Sequence, residues 1–240
     1  MEKTVSEAIA YRRSVRIYNS DEEISYEKVV DCLKNAVLAP TSSNLQLWEF
    51  YHVLDKTTKD SISKACFNQP AAKTAQQLVV VVTRKDLWRK RAKANLSFLE
   101  HQFKKEETDN SKKKIALSYY KKLIPSLYTE FLGILGLVKY GIFSTMGLFK
   151  PMYRQVRQSD LRIVAHKSAA LAAQNFMISM AAIGYDTCPM EGSDTKRIKK
   201  ILNLPWGAEI NMVIGCGIRD SKGVYGPRFR VPFKEVYYKL

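Results

Sequence analysis

Paired cysteines, clustered histidines and glycine-rich phosphate loops are all missing from this sequence, and each absence removes a class of function. The four cysteines, Cys32, Cys66, Cys188 and Cys216, lie far apart with no C-x-x-C pair. His52, His101 and His166 are equally scattered. A zinc site or a disulfide framework needs closer spacing, and unpaired cysteines suit a reducing cytoplasm. No G-x-x-x-x-G-K-[ST] loop and no G-x-S-x-G elbow occurs. Gly215-Cys-Gly217 follows a strand-like run but lacks the third glycine and the helix of a dinucleotide fingerprint. The opening Met-Glu-Lys-Thr carries no apolar signal core, so a cytoplasmic location is expected. Acidic residues are also scarce: 23 Asp+Glu stand against 39 Lys+Arg, a net charge of +16. Residues 84–122 hold 13 Lys+Arg and 5 Asp+Glu, and so half of that excess. Such a balance points to an acidic partner, whether nucleic acid, anionic lipid or a phosphorylated cofactor. No zinc-finger, helix-turn-helix or RNA-binding aromatic motif favours nucleic acid.

What is present begins with Arg12-Arg13-Ser14-Val15-Arg16-Ile17-Tyr18. Guanidinium forks match phosphate bidentately and never lose their charge. In an extended run Arg12, Ser14 and Arg16 share one face, because strand side chains alternate. The stretch reads either as an anion cradle or as a basic surface turn. Two more arginines, Arg228 and Arg230, lie in the extended tail. A loop dense in short polar side chains, Pro40-Thr41-Ser42-Ser43-Asn44-Leu45-Gln46, runs into an aromatic strand. It suits the edge of a flat heterocycle, although the same residues also favour ordinary turns.

At 240 residues, 46% of them hydrophobic, the chain can build a sizeable core and is not disordered. Helical spacing is expected over 5–12, over the segment after Ser25 up to Pro40, over 55–65, over the basic 88–122, and over 159–183, which Gly184 should stop. The last is apolar almost all round, as a helix buried in a core or against a partner subunit would be. Strands are expected at Trp48–Val53, Gln77–Thr83 and 209–216. Residues 67–70 and 184–192 read as loops, and Asp194 or Thr195 as the cap of a helix reaching Leu202.

Four ordered motifs together resemble the FMN-dependent nitroreductase family: R-R-S-V-R-x-Y, then A-P-T-S-S-N-x-Q-x-W-x-F, then G-Y-D-T-C-P-M-E-G followed by L-N-L-P and G-C-G, and last P-R-F-R. They cover about residues 1–85 and 158–235. The sequence departs from the family at Leu47, where proline is frequent. The resemblance implies an α+β fold, a three-layer α-β-α sandwich with a mostly antiparallel central sheet flanked by helices, in a single domain over 1–240. It implies FMN as cofactor, NAD(P)H as electron donor, and ping-pong hydride transfer through flavin N5 to a nitroaromatic, a quinone or a related acceptor. A flavin-dependent dehydrogenase or dehalogenase on the same fold is the alternative enzyme, and a basic module at anionic membranes or nucleic acid the alternative without redox chemistry. Position by position, Arg12, Arg13, Ser14 and Arg16 would grip the phosphate and ribityl chain, with Arg228 and Arg230 closing from the tail. Pro40, Thr41, Ser42, Asn44 and Gln46 would come from the other subunit of a homodimer with flavin at its interface. Asn68 or Gln69 would approach the ring's polar edge. Pro189, Met190, Glu191 and Gly192 would line the ring, with a backbone N–H near Glu191 at N5. No side-chain general acid and no metal is required.

The resemblance does not reach the middle, about residues 86–157, which reads as a helical insertion. Residues 131–149 carry one charge, Lys139. A spanning helix needs about 20 apolar residues, and Lys139 near the centre would cost roughly 3 kcal/mol. A single span would also part Arg12–Arg16 from Arg228–Arg230. The expectation is a helical lid over the flavin's open face. Aromatic core or dimer packing, or a weak membrane-surface contact through 125–157, stays open.

Overall fold

The computed structural model describes residues 2–105, 109–131 and 133–240. Its helices in chain order are α1 (Val5–Tyr11), α2 (Tyr26–Ala36), α3 (Lys56–Ala65), α4 (Pro70–Lys73), α5 (Trp88–Lys105), α6 (Asn110–Ser118), α7 (Ile124–Tyr128), α8 (Ile134–Met146), α9 (Gln158–Ala182) and α10 (Thr195–Ile201). The strands are β1 (Trp48–Val53), β2 (Gln77–Thr83), β3 (Asp186–Met190) and β4 (Glu209–Gly217). Short side chains set five of the ten helix starts, because each satisfies an amide that the helix cannot. Thr4 and Glu7 form a capping box on α1, and Ser25, Asp55 and Asp194 accept from the third residue beyond them. Gly184, at φ +85°, takes the left-handed turn just past the end of α9.

The four strands pair antiparallel in the order β1-β2-β4-β3. All seven residues of β2 are buried, as expected of a central strand covered on both faces. Leu78, Val80 and Val82 meet Ile62 of α3, Ala71 and Ala72 of α4 and Ile198 of α10. Val79 and Val81 meet Val29 and Cys32 of α2 and Ala169, Ala173, Phe176 and Met180 of α9. These are the two outer layers of an α-β-α sandwich. The β2–β4 register steps from Val81↔Met212 to Val82↔Ile210 and skips Asn211. The bulge returns Ile210 to the face of Val82, where strict alternation would have turned it away. A third cluster holds Leu45 and Leu47 with Ala92, Ile124, Tyr128 and Leu161, and anchors the insertion.

Two expectations need correction. The segment 184–192 is not all loop: its central five residues form the edge strand β3. Pro189 masked it, but proline is tolerated on an edge, where no ladder amide is needed. The basic 88–122 segment is not one helix. Asp109 accepts from Ser111 N at 3.0 Å and starts α6 afresh, and Tyr119–Leu123 widens into a π-helical turn. Among the described residues no helix is long and apolar enough to cross a membrane.

Candidate active site

The cradle is built where α1 runs out. Arg12 caps α1, and the chain then extends along the free edge of β3, with a parallel bridge between Ser14 and Thr187. Val15 N donates to Thr187 O at 3.2 Å, and its side chain is fully buried. Alternation therefore sends Val15 into the core and leaves Ser14 outward. Arg16 N donates to Gly223 O at 2.6 Å, which brings in the C-terminal segment. Tyr18 is buried on Gly217, where an added Cβ would lie 2.6 Å from the ring, so this position requires glycine.

A cavity of about 260 Å³ opens between these two segments. Arg12, Arg13, Ser14, Arg16, Arg228 and Arg230 line it, with Tyr225 and Phe229. The two ends of the chain are cross-fastened there. Arg13 donates to Gly226 O at 2.8 Å and Arg228 to Ala10 O at 2.8 Å. Among the described residues none of these five arginines has a carboxylate within ion-pairing distance. Burial holds the Arg12 guanidinium below its usual pKa, and the neighbouring Arg228 and Arg230 charges push it further. Packed like charges with no counter-ion form a site that gains from an anion.

Beneath the cradle lies an ion pair with a buried carboxylate and a partly exposed guanidinium, which sequence reading missed. Asp186 is almost fully enclosed, and Arg219 Nε donates to both its oxygens at 3.0 Å. Arg219 also donates to Tyr11 O at 3.3 Å and stacks on the Tyr11 ring, 4.1 Å from its centroid. The pair fastens the end of α1 to β3 and β4. No spacing signal could have found it, because its partners are 33 residues apart and Asp186 sat in an unrecognised strand.

At the other end of β3, Gln69 Nε2 donates to Gly192 O at 2.8 Å. Gln69 and the 189–192 segment therefore do meet. Pro189 is half-buried and Glu191 and Gly192 are exposed, while the Met190 side chain turns into the core, so only its backbone is open to a ligand. From Thr187 beside the arginines to Gly192 is roughly 15 Å of extended chain. That span suits an elongated ligand with phosphate at one end and a flat ring at the other.

The polar loop after α2 does not join the arginine cavity within one chain. Ser43, Asn44 and Gln46 all adopt positive φ, at 54°, 49° and 48°. Non-glycine residues in this region are strained by about 1 kcal/mol or more each, and such strain concentrates at functional sites. The insertion holds it in place. Tyr119 and Ser43 share a hydroxyl hydrogen bond at 2.7 Å, Tyr120 donates to Ser43 O at 3.0 Å, and Asn95 Nδ2 donates to Asn44 O at 2.9 Å. Ser42 and Ser43 line a second cavity, of about 390 Å³, with Tyr119, Tyr128, Phe143 and Tyr153. Asn95, Tyr119 and Tyr120 gave no sequence signal, because they lie in the stretch that no motif covers. All four thiols are free and buried, and burial pushes Cys32 up to about 12 and Cys66 up to about 11.

The Nitroreductase family model matches residues 9–218 of this chain. A putative NAD(P)H nitroreductase of Bacillus subtilis, MhqN, is 25% identical over 226 residues, 93% of each chain. Among solved structures, the putative nitroreductase ydfN of Bacillus subtilis superposes with a TM-score of 0.75 at 22% identity, covering 98% of both chains. A putative nitroreductase of Exiguobacterium sibiricum, solved in complex with FMN, has a TM-score of 0.69 at 20% identity, with 99% of this chain and 98% of that one covered.

Proposed function

This chain belongs to the nitroreductase family, and from that premise we propose that it is an FMN-dependent NAD(P)H oxidoreductase. The observation that carries the reading is the cavity of five arginines and a serine, without a carboxylate, beside an edge strand. FMN fits that donor set: its phosphate is the dianion that the crowded guanidiniums need, and its length matches the run from Ser14 to Gly192. When bound, FMN supplies two-electron hydride chemistry. The chain supplies position and field. Arg12, Arg16 and Arg230 hold the phosphate, Ser14 adds a hydroxyl donor, and Arg13 and Arg228 brace the two walls. The Pro189–Gly192 backbone and Gln69 hold the ring's polar edge, with the amide near Glu191 toward N5. Pro40, Thr41, Ser42, Asn44 and Gln46 reach the flavin of the other subunit in a homodimer. That assignment is supported by the positive φ of Ser43, Asn44 and Gln46 in this loop and by the loop's separation from the arginine cavity within one chain.

The donor and the acceptor take turns at one open face, so ping-pong kinetics follow. The insertion covers that face, with Phe143 and Tyr153 lining the cavity beside Ser42 and Ser43, which suits a flat acceptor such as a nitroaromatic or a quinone. The test is anaerobic stopped-flow on the FMN-reconstituted protein. NADH or NADPH should bleach the flavin, and a nitroaromatic or quinone should restore its colour in a separate step. A flavin that neither nicotinamide reduces would overturn the reading.

A further inference from the structure

The outer face of α8 is inverted relative to an ordinary surface helix. Ile134, Leu137, Val138 and Ile142 are each more than half exposed, and Leu148 and Phe149 beyond its end are 77% and 87% exposed. These helical positions fall on one side, at the i, i+3, i+4, i+8 spacing of a single face. The only charged side chain of α8, Lys139, instead turns inward, where its ammonium donates to Thr129 O at 2.6 Å and Leu127 O at 3.2 Å. Gly136 is the one buried position of the helix, and among the described residues no core cluster includes a residue of α8. A soluble surface normally does the reverse, putting the lysine in water and the isoleucines inside.

The charge around this face is predominantly positive, although Glu130 lies against Gly136 and Asp160 pairs with Arg157. Residues 131–159 contain Lys139, Lys150, Arg154 and Arg157 and no acidic residue, and residues 85–157 carry 16 Lys+Arg against 6 Asp+Glu. We propose that the α8 face, with the adjoining Leu148 and Phe149, is a docking surface for an anionic lipid bilayer. The apolar side chains would enter the headgroup boundary while the flanking cations meet lipid phosphates. Charge favours an anionic surface over a second copy as the occupant. A two-fold contact pairs two copies of the same net-positive patch, whereas an anionic surface neutralises Lys150 and Arg154. The 13-residue length of α8 fits a helix lying in the interface and is too short to span.

The experiment is co-flotation of the full chain with phosphatidylglycerol-rich vesicles and with pure phosphatidylcholine vesicles, recording bound flavin in every fraction. Flotation with the anionic vesicles alone, weakened by high salt and reduced at least tenfold by the double variant Leu137→Glu/Ile142→Glu, is the expected result. Lys150→Glu should reduce it in the same direction, with flavin content unchanged. A wild-type chain that stays in the lipid-free fraction with anionic vesicles overturns the proposal. So does a double variant that floats as before, or one that halves the mass by light scattering while the wild type ignores lipid, which would assign the face to a second copy. Flotation is read independently of redox activity, so its failure and that of the flavoenzyme reading remain distinguishable.

Discussion

The helices α8 and α9 are both strongly apolar, yet they have opposite fates. The 25 residues of α9 contribute ten buried positions, from Leu161 to Ala181, and with α2 cover one face of the sheet. The 13 residues of α8 contribute only Gly136 and leave their aliphatic side chains outward. Composition reports that a segment avoids water, but it does not say what replaces the water. For α9 the replacement is the Val79–Val81–Met212–Ile214 surface, which the alternating strands provide. For α8 nothing among the described residues plays that part.

Truncating both helices should separate these roles most sharply. Phe176→Ala removes a fully buried ring and should cost about 3–5 kcal/mol in chemical denaturation. Ile142→Ala, at a site 52% exposed, should cost well under about 1 kcal/mol. Equal losses would mean that α8 is core and would erase the contrast.

The next largest effect concerns the support beneath the cradle. Asp186→Ala removes the partner of a partly exposed Arg219 and should destabilise the chain by about 1.5–3 kcal/mol. It should also shorten FMN retention on a desalting column, because Arg219 fastens Tyr11 and with it the start of the arginine segment. A stable variant that keeps its flavin would show that the pair is peripheral.

A smaller effect follows from the sheet's exposed edge. His52 stacks on Tyr26 and bonds Gln77 at 2.7 Å. Burial lowers its pKa, with the Gln77 bond opposing. A histidine whose folded pKa is depressed binds its proton more readily when unfolded, so stability is complete above the unfolded value of about 6.5 and falls as the pH drops below it. His52→Gln should flatten that part of the stability–pH curve, measured by urea denaturation. An unchanged slope would remove His52 from the acid response.

The contrast between the two helices also explains what was legible in the sequence. The central strands, the helix starts after Ser25 and Asp194, and the length of α9 all follow from local rules: β-branched runs, short side chains before apolar periods, and a closing glycine. The arginine cavity was legible because its two segments each bear a distinctive run, although only the fold brings Arg12–Arg16 and Arg228–Arg230 together. The strand β3 was not legible, since Pro189 and Gly184 read as loop punctuation and an edge position excuses them. The Asp186–Arg219 pair and the Asn95–Tyr119–Tyr120 support of the 41–46 loop join residues distant in sequence, and a single chain read locally has no means of pairing them. The inversion of α8 was hidden for the same reason, because Lys139 faces inward only on account of the carbonyls at Leu127 and Thr129.

The central claim is that the arginine cavity holds the phosphate of FMN, and riboflavin, which lacks that phosphate, tests it most directly. Fluorescence titration of the apoprotein should show FMN bound at least about 100-fold tighter than riboflavin, since two charge-assisted contacts contribute about 1.5–3 kcal/mol each. In Arg12→Ala/Arg230→Ala, which leaves Arg16 and Ser14 on the phosphate, that preference should fall by at least about 100-fold from its wild-type value, through loss of FMN affinity with riboflavin affinity unchanged. Equal affinity of the wild-type chain for FMN and riboflavin, or a preference that the double substitution leaves undiminished, would contradict the account.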